Sequence, residues 1–158
     1  MNVQYGVRAP WIGGDTSALN WRRSFHGRVD EIGGARDFVG FLLANTRFAE
    51  QAEFAVSEFA GNALRHTISG QRGGWFCVHI GMGANGMAIS DHGGPRATVC
   101  VAVRDLGGSG IPAIEVREGH ESRGGLAAIA EFAVTLGCDG SPQRGHLVWA
   151  ELGLPEAA

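Results

Sequence analysis

The sequence predicts an α+β protein, a two-layer α/β sandwich in which helices cover one face of a mostly antiparallel sheet. Two patterns carry this prediction: apolar residues recur at helical spacing in three segments, and they alternate in four shorter segments. The predicted order is β-α-α-β-β-loop-α-β, without an internal repeat. Because 158 residues suffice for one core, we expect a single domain over residues 19–154, preceded by a loose N-terminal arm over residues 1–18.

The composition excludes several classes of protein. Glycine accounts for 26 of the 158 residues, more than double its usual share, but it is not periodic, which excludes collagen-like and repeat architectures. All 13 basic residues are arginine, and with 16 acidic residues the net charge is −3, which argues against sequence-independent nucleic-acid binding. Neither a membrane-spanning apolar run nor a signal peptide is recognisable, so we expect a cytoplasmic protein.

Three helices are placed by their apolar spacing and their end signals. The first is expected over residues 30–44, with Asp30 as its N-cap. The second, over residues 47–68, has the most regular apolar spacing. The third is expected over residues 125–136, where Gly137 ends it. The predicted apolar stripe of the first helix consists of Ile32, Ala35, Phe38, Val39, Phe41 and Leu42.

Four strands are predicted from alternating apolar residues. They cover residues 20–26, 75–80, 99–105 and 146–152. In the second of these strands Phe76, Val78 and Ile80 share one face. The remaining long segments are rich in glycine and predict loops; they are residues 81–97 and 106–123.

The cysteines do not predict a metal or redox site. They are Cys77, Cys100 and Cys138. They are far apart in the sequence and form no C-x-x-C pair. Cys77 and His79 form a C-x-H pair, with further histidines at His92 and His146, but a small buried thiol in a strand is the more ordinary interpretation.

Residues that can carry chemistry are concentrated on the second predicted helix. Glu58 and Asn62 are four residues apart and therefore lie on one face, with Arg65 and His66 beside them. Because the neighbouring stripe is apolar, we place this pair at the edge of the core. Taken alone, the pair is more typical of an ordinary hydrogen-bonded surface pair than of a site.

Two glycine-rich segments downstream have the character of ligand-binding loops. Asp105 ends a β-branched strand before Leu-Gly-Gly-Ser-Gly, so a flat ligand can approach the backbone while the carboxylate accepts from an exocyclic amine. Residues 121–126 (ESRGGL) open the third helix, and the free N–H groups of such a helix start are suited to phosphate. Together with Glu58 and Asn62, these segments in this order predict a nucleotide site.

These motifs in this order resemble those of the Bergerat-fold ATPases, the superfamily of gyrase, heat-shock chaperones and histidine kinases. Within it, VSEFAGNALRHT (Val56–Thr67) is similar to the N-box of the anti-sigma-factor serine kinases, single-domain ATP-binding proteins common in actinobacteria. Residues 21–25 and 144–152 also resemble that group, and the resemblance covers about residues 20–152. It implies a histidine-kinase-like ATPase fold that binds ATP and Mg²⁺.

The resemblance implies a role for each matching residue. Asn62 matches the family's Mg²⁺ ligand, and Glu58 matches the residue proposed to act as general base on the acceptor serine. Asp105 matches the aspartate that contacts adenine. The remaining matches are Gly107 and Gly110 beside the base, Gly124, Gly125 and Leu126 in the lid over the phosphates, and Arg65 and His66 at the border of the site.

Two departures from the family pattern leave alternatives. Arg123 stands at the first glycine of the lid motif, where its Cβ displaces the lid if φ is positive, or where its guanidinium reaches a phosphate itself. A second segment, Asp91-His92-Gly93-Gly94-Pro95, also resembles the adenine-contacting motif. Asp91, followed by Gly93, lies at the more usual distance from the N-box. Asp105 has the better strand before it and the more usual distance to the lid, so we favour Asp105 and keep Asp91 as the alternative.

The function that the resemblance implies is that of an ATP- and Mg²⁺-dependent protein serine/threonine kinase of the anti-sigma-factor type. Its expected partners are a sigma factor and an anti-anti-sigma (STAS-type) protein that carries the acceptor serine. Members of the group often pair through the sheet surface, so a homodimer is a further expectation, while direct contact with nucleic acid or membrane is not expected. The altered lid motivates a second hypothesis, a nucleotide-binding partner-switching module without efficient phosphotransfer.

Overall fold

The structure of the chain, a computed structural model, describes residues 3–5, 19–82, 88–89, 95–96, 98–108 and 124–153. The strands in these ranges are β1 (Val3–Tyr5), β2 (Leu19–His26), β3 (Trp75–Met82), β4 (Ala88–Ile89), β5 (Pro95–Arg96), β6 (Thr98–Arg104), β7 (Thr135–Ser141) and β8 (Gly145–Gly153). The helices are α1 (Glu31–Leu43), α2 (Ala49–His66) and α3 (Gly125–Phe132), and a short 3₁₀-helix covers Ile68–Gly70.

Six of the strands form one sheet, in the order β1-β7-β8-β6-β3-β2. All neighbouring pairs in it are antiparallel except β1 and β7, which are parallel. The short strands β4 and β5 form a separate antiparallel pair. The chain is therefore an α+β protein with a mostly antiparallel sheet, as the sequence predicts.

The main core lies between the helices and one face of this sheet, which we call the inner face. Phe76, Val78 and Ile80 of β3 are buried there, at the positions that the alternation predicts. The residues of α2 buried in this core include Ala52, Val56, Phe59 and Ala63. This packing holds α2 along the sheet, and α2 carries Glu58 and Asn62 on its remaining surface.

The first helix, α1, has a narrower apolar stripe than the sequence predicts. Its fully buried residues are Ala35, Val39 and Leu43. Phe41 is 83% exposed, because a residue two positions from Val39 lies about 200° away from it around the helix. Asp30 precedes α1, but its carboxylate accepts a hydrogen bond from Arg28 Nε at 2.9 Å and makes no bond to the helix backbone. Asp30 is therefore the N-cap residue of α1, as predicted, but its side chain makes no capping hydrogen bond.

The third helix ends at Phe132, before the predicted boundary, and the strand that follows it was not predicted. Thr135–Ser141 form β7, whose glycines interrupt the alternation by which strands are recognised. Gly137, interpreted above as the end of the helix, lies inside this strand. A Cβ at Gly137 would lie 2.4 Å from the ring of Trp149, so this glycine leaves room for the indole.

Regular structure is also present in the N-terminal segment, which the sequence predicts to be loose. Val3–Tyr5 form β1, which pairs in register with residues 136–138 of β7. Three residues are too few to produce an alternation pattern, so the sequence carries no signal for this strand. The four predicted strands correspond to β2, β3, β6 and β8, with ends that agree to within two residues.

The opposite face of the sheet, here called the outer face, carries a small buried cluster of its own. This cluster consists of Cys100, Ala102, Leu147 and Trp149. Glu151 follows Trp149 on the same face of β8, and burial raises the pKa of its carboxyl. Burial, with a smaller contribution from the charge of Glu151, also raises the pKa of the Cys100 thiol. The outer face therefore holds a partly desolvated carboxyl group.

Replacing Glu151 by glutamine is expected to raise the melting temperature at pH 7. Burial raises the pKa of the Glu151 carboxyl in the folded state above its ordinary value of 4.5. As the pH rises, this carboxyl therefore loses its proton more readily in the unfolded chain, and it opposes folding increasingly above pH 4.5. Below pH 4.5 the carboxyl is protonated in both states, and the difference between variant and wild type should fade. Thermal denaturation at both pH values measures this. Glu50→Gln, at an exposed carboxylate on α2, should bring no gain, and a gain at Glu50 equal to that at Glu151 would contradict the burial argument.

Candidate functional site

The polar face of α2 lies at the edge of the core. Glu58 and Asn62 are both half-buried, one helical turn apart. Arg65 and His66 are exposed in the last turn of the same helix, where positive charge is favourable beside the helix carboxyl end. The helix therefore presents a carboxylate, an amide and a cation in succession along one edge.

The amide of Asn62 is engaged by a neighbouring side chain. Arg65 Nη2 donates a hydrogen bond to Asn62 Oδ1 at 2.7 Å. This amide oxygen is a hard ligand of the kind that Mg²⁺ prefers, and Mg²⁺ is commonly held by few protein groups together with substrate phosphates. Asn62 therefore fits the metal that the family resemblance implies, provided that the exposed Arg65 side chain releases it. Within the described ranges, no group of three or more His, Cys, Asp and Glu side chains is arranged to hold a metal ion.

Asp105 is held in a fixed orientation directly after β6. Its side chain is buried, and Oδ1 accepts hydrogen bonds from the backbone N–H groups of Gly107 at 2.6 Å and His146 at 2.9 Å. Two amides that converge on one oxygen leave the carboxyl group little rotational freedom. The loop that begins at Asp105 is thereby tied to the start of β8.

His146 belongs to this arrangement and was not recognised in it from the sequence, where it was considered only as a metal candidate. The residue is 1% exposed, and Nδ1 lies 3.3 Å from Asp105 Oδ1. Because a carboxylate can only accept, a hydrogen bond here requires the proton on Nδ1. Nε2 is buried without a hydrogen-bond partner among the described residues. The two residues are 41 positions apart, so no local spacing could reveal the pair.

The loop after Asp105 is hydrogen-bonded to the segment that follows α2. Ile68 N–H donates to the carbonyl oxygen of Gly107 at 2.8 Å, and Leu106 N–H donates to Ser69 Oγ at 2.9 Å. Ser69 is fully buried, and no motif in the sequence marks this position. These bonds place Asp105 beside the carboxyl end of α2.

Glycines allow this loop to approach a neighbouring turn closely. Gly107 has a φ of +80°, and a Cβ on it would lie 2.2 Å from the carbonyl oxygen of Pro142. Gly145 has a φ of +82°, and a Cβ on it would lie 2.1 Å from the carbonyl oxygen of Asp105. Both positions therefore require glycine for conformation and for space.

The start of α3 lies against Glu58. A Cβ on Gly125 would lie 1.8 Å from Glu58 Oε2, so the carboxylate side chain occupies the space above this glycine. Gly124 is exposed, and a Cβ there would meet no atom of the described residues within 4 Å. Leu126 packs against the main core. The two lid glycines predicted from the sequence are thus in different environments.

The structure brings together several of the predicted site residues. Gly125 touches Glu58, while Asp105 and Gly107 lie at the other end of the same helix. The predicted residues outside the described ranges are Asp91, Gly93, Gly110 and Arg123.

In the described ranges, no helix has both the length and the apolar character needed to cross a membrane. No protein-family profile matches the chain, and no curated protein matches it.

Proposed function

We propose that the chain is an ATP- and Mg²⁺-binding protein serine kinase of the anti-sigma-factor type. The observation that carries this proposal is the position of α2, which contacts the start of α3 through Glu58 and is followed directly by Ile68 and Ser69, which hydrogen-bond to the Asp105 loop. Three separate sequence motifs with nucleotide-binding character therefore meet along one helix. A nucleotide laid along that helix would have its base near Asp105 and its phosphates near α3 and Asn62.

In this proposal each residue has one chemical task. Glu58 accepts the proton of the acceptor serine hydroxyl while the serine oxygen bonds to the γ-phosphorus and the bond to ADP breaks. Asn62 Oδ1 holds Mg²⁺, which when bound neutralises charge on the phosphates. Asp105 accepts a hydrogen bond from the exocyclic amine of adenine. Arg65, once released from Asn62, is placed to pair with a phosphate.

The alternative is a nucleotide-binding partner-switching module without efficient phosphotransfer. Two contacts favour it: the oxygen of Asn62 is taken up by Arg65, and the carboxylate of Glu58 is pressed against Gly125. Both groups must therefore be released before they could act on a nucleotide. Under either proposal the partners are an anti-anti-sigma (STAS-type) protein and a sigma factor, the location is the cytoplasm, and a homodimer is one arrangement to be tested.

Phosphotransfer is expected to depend on Glu58 and Asn62. We would incubate the wild type with labelled ATP, Mg²⁺ and candidate anti-anti-sigma proteins, and measure both bound ATP and serine phosphate. Glu58→Ala should lose transfer but keep ATP binding, whereas Asn62→Ala should lose transfer and weaken Mg²⁺-dependent binding. Glu50→Ala, an exposed carboxylate on the same helix, is the matched control and should behave like the wild type.

The same assay distinguishes the two proposals and can overturn both. ATP binding without transfer to any acceptor would favour the partner-switching module, and no ATP binding at any Mg²⁺ concentration would exclude a nucleotide function. Asp105→Asn compared with Asp91→Asn identifies the adenine contact. Only the residue that contacts adenine should weaken ATP affinity strongly when it is changed.

A further inference from the structure

A polar cleft lies on the outer face of the sheet, on the side remote from the helices. Its volume is about 390 Å³, and it opens over strands β2, β3 and β6. The residues that line it are Arg22, Arg23, Ser24, Trp75, Cys77, His79 and Arg104. The guanidinium group of Arg23 lies over the ring of Phe25 instead. We call this cleft the outer cleft. None of these residues belongs to the site on α2.

The strand register brings these side chains to one face. Arg22 of β2 lies opposite His79 of β3, and Ser24 lies opposite Cys77. On the other side of β3, Arg104 of β6 is also opposite Cys77. Because alternate residues of a strand point to opposite faces, all five lie on the face opposite to the buried Phe76, Val78 and Ile80.

The outer cleft is cationic, because the guanidinium groups of Arg22 and Arg104 line it. Among the described residues neither Arg22 nor Arg104 forms an ion pair, and none of the described lining residues is acidic. The described carboxylates of this face, Asp139 and Glu151, lie on β7 and β8. Burial, followed by the charges of Arg104 and Arg22, lowers the pKa of His79. The imidazole is therefore neutral at physiological pH, between two permanent positive charges.

Several of the residues that line this cleft carry hydrogen-bond donors. His79 Nε2 is buried and has no hydrogen-bond partner among the described residues, which is a costly state for a polar atom. The two guanidinium groups, the Ser24 hydroxyl and a neutral imidazole with its proton on Nε2 all donate. The complementary ligand is an acceptor that carries more than one negative charge.

We propose that the outer cleft binds a phosphate group, as the free ion or as a monoester. Two guanidinium groups match a dianion, whereas a carboxylate would neutralise only one of them, and arginine is the side chain best suited to phosphate oxygens. Trp75 is 39% exposed at the edge of the cleft, so its ring can cover an organic group attached to the phosphate. This second anion site lies apart from the proposed nucleotide site and does not depend on it.

The proposal is tested by isothermal titration calorimetry with inorganic phosphate at pH 7.5, in a buffer free of other multivalent anions. The wild type is expected to bind phosphate, and Arg22→Gln and Arg104→Gln should each weaken it by about tenfold or more. Arg47→Gln, at an exposed arginine between α1 and α2, should leave the affinity unchanged. His79→Gln, which retains a donor, should bind more tightly than His79→Phe. Circular dichroism establishes that each variant is folded.

Further arms of the experiment identify the source of the phosphate and separate the two sites. Phenyl phosphate should bind more tightly than inorganic phosphate if the natural ligand is a monoester covered by Trp75, and equal affinities indicate the free ion. Acetate should bind at least about tenfold more weakly than phosphate. Binding should persist in Asn62→Ala. The proposal is overturned by the absence of phosphate binding or by binding that both arginine variants retain.

Discussion

Gly107→Ala is expected to lower the free energy of unfolding by about 2–4 kcal/mol. Two features of this position act together: its φ is +80°, and a Cβ would lie 2.2 Å from the carbonyl oxygen of Pro142. Alanine adopts such a φ only with strain. Because the opposing atom belongs to the backbone, either the loop or the turn must move. Urea denaturation of the variant and the wild type measures the loss.

Gly73→Ala is the matched control for this prediction. Gly73 has the same φ of +80°, but a Cβ there would meet no heavy atom of the described residues within 4 Å. Its substitution should therefore cost only the conformational strain, about 1 kcal/mol. Equal losses at Gly73 and Gly107 would show that the close approach to Pro142 contributes nothing. In the proposed kinase, Gly107→Ala should also weaken ATP binding, since Gly107 N–H is a donor to Asp105.

Gly125→Ala is expected to displace the carboxylate of Glu58. A Cβ at this position would lie 1.8 Å from Oε2 and 2.5 Å from Cγ of Glu58, so the side chain must take another rotamer. If Glu58 is the general base, phosphotransfer should fall by up to the roughly 10²–10⁴-fold that such a base contributes. Initial rates of serine phosphorylation measure this, with ATP affinity determined separately.

Gly124→Ala provides the control, because a Cβ there would meet no atom of the described residues within 4 Å and the φ of −55° suits any residue. It should leave both rate and stability close to those of the wild type. A double-mutant cycle tests the contact without any assumption about function. Gly125→Ala should destabilise the wild type, but in a Glu58→Ala background it should be neutral or stabilising, since alanine then only favours the helix. Additive effects would contradict the contact between Glu58 and Gly125.

The parts of the fold that could be predicted are those with a strong local pattern. The helix over residues 49–66 and the strand over residues 75–82 carry long stretches of apolar residues at the spacing of their own secondary structure. The same rule fails at β7, where Gly137 and Gly140 interrupt the alternation. Gly137 is required by the indole of Trp149 on the neighbouring strand, a contact that no window of sequence around Gly137 contains.

In the candidate site, too, local spacing predicts some of the residues, whereas long-range contacts bring in the others. Glu58 and Asn62 could be paired from the sequence, because a separation of four residues on a helix defines a shared face. The partners of Asp105 and its loop could not be predicted from the sequence. His146 is 41 residues away from Asp105, and Ser69, which follows α2, contacts the loop by accepting a hydrogen bond from Leu106 N–H. Likewise, the outer cleft joins Arg22, His79 and Arg104 from three strands, and only strand order and register decide which residues become neighbours.

The sequence by itself thus determined the α+β class, the regular helices and strands, and the residues of α2 that can carry chemistry, because each depends on periodicity within one segment. The tertiary structure alone decided that Gly125 touches Glu58, that Asp105 is held by His146, and that Arg22 and Arg104 flank His79 on the outer face. These arrangements depend on contacts between segments far apart in the chain. They arise from burial and strand pairing, which act on the whole chain and leave no local pattern.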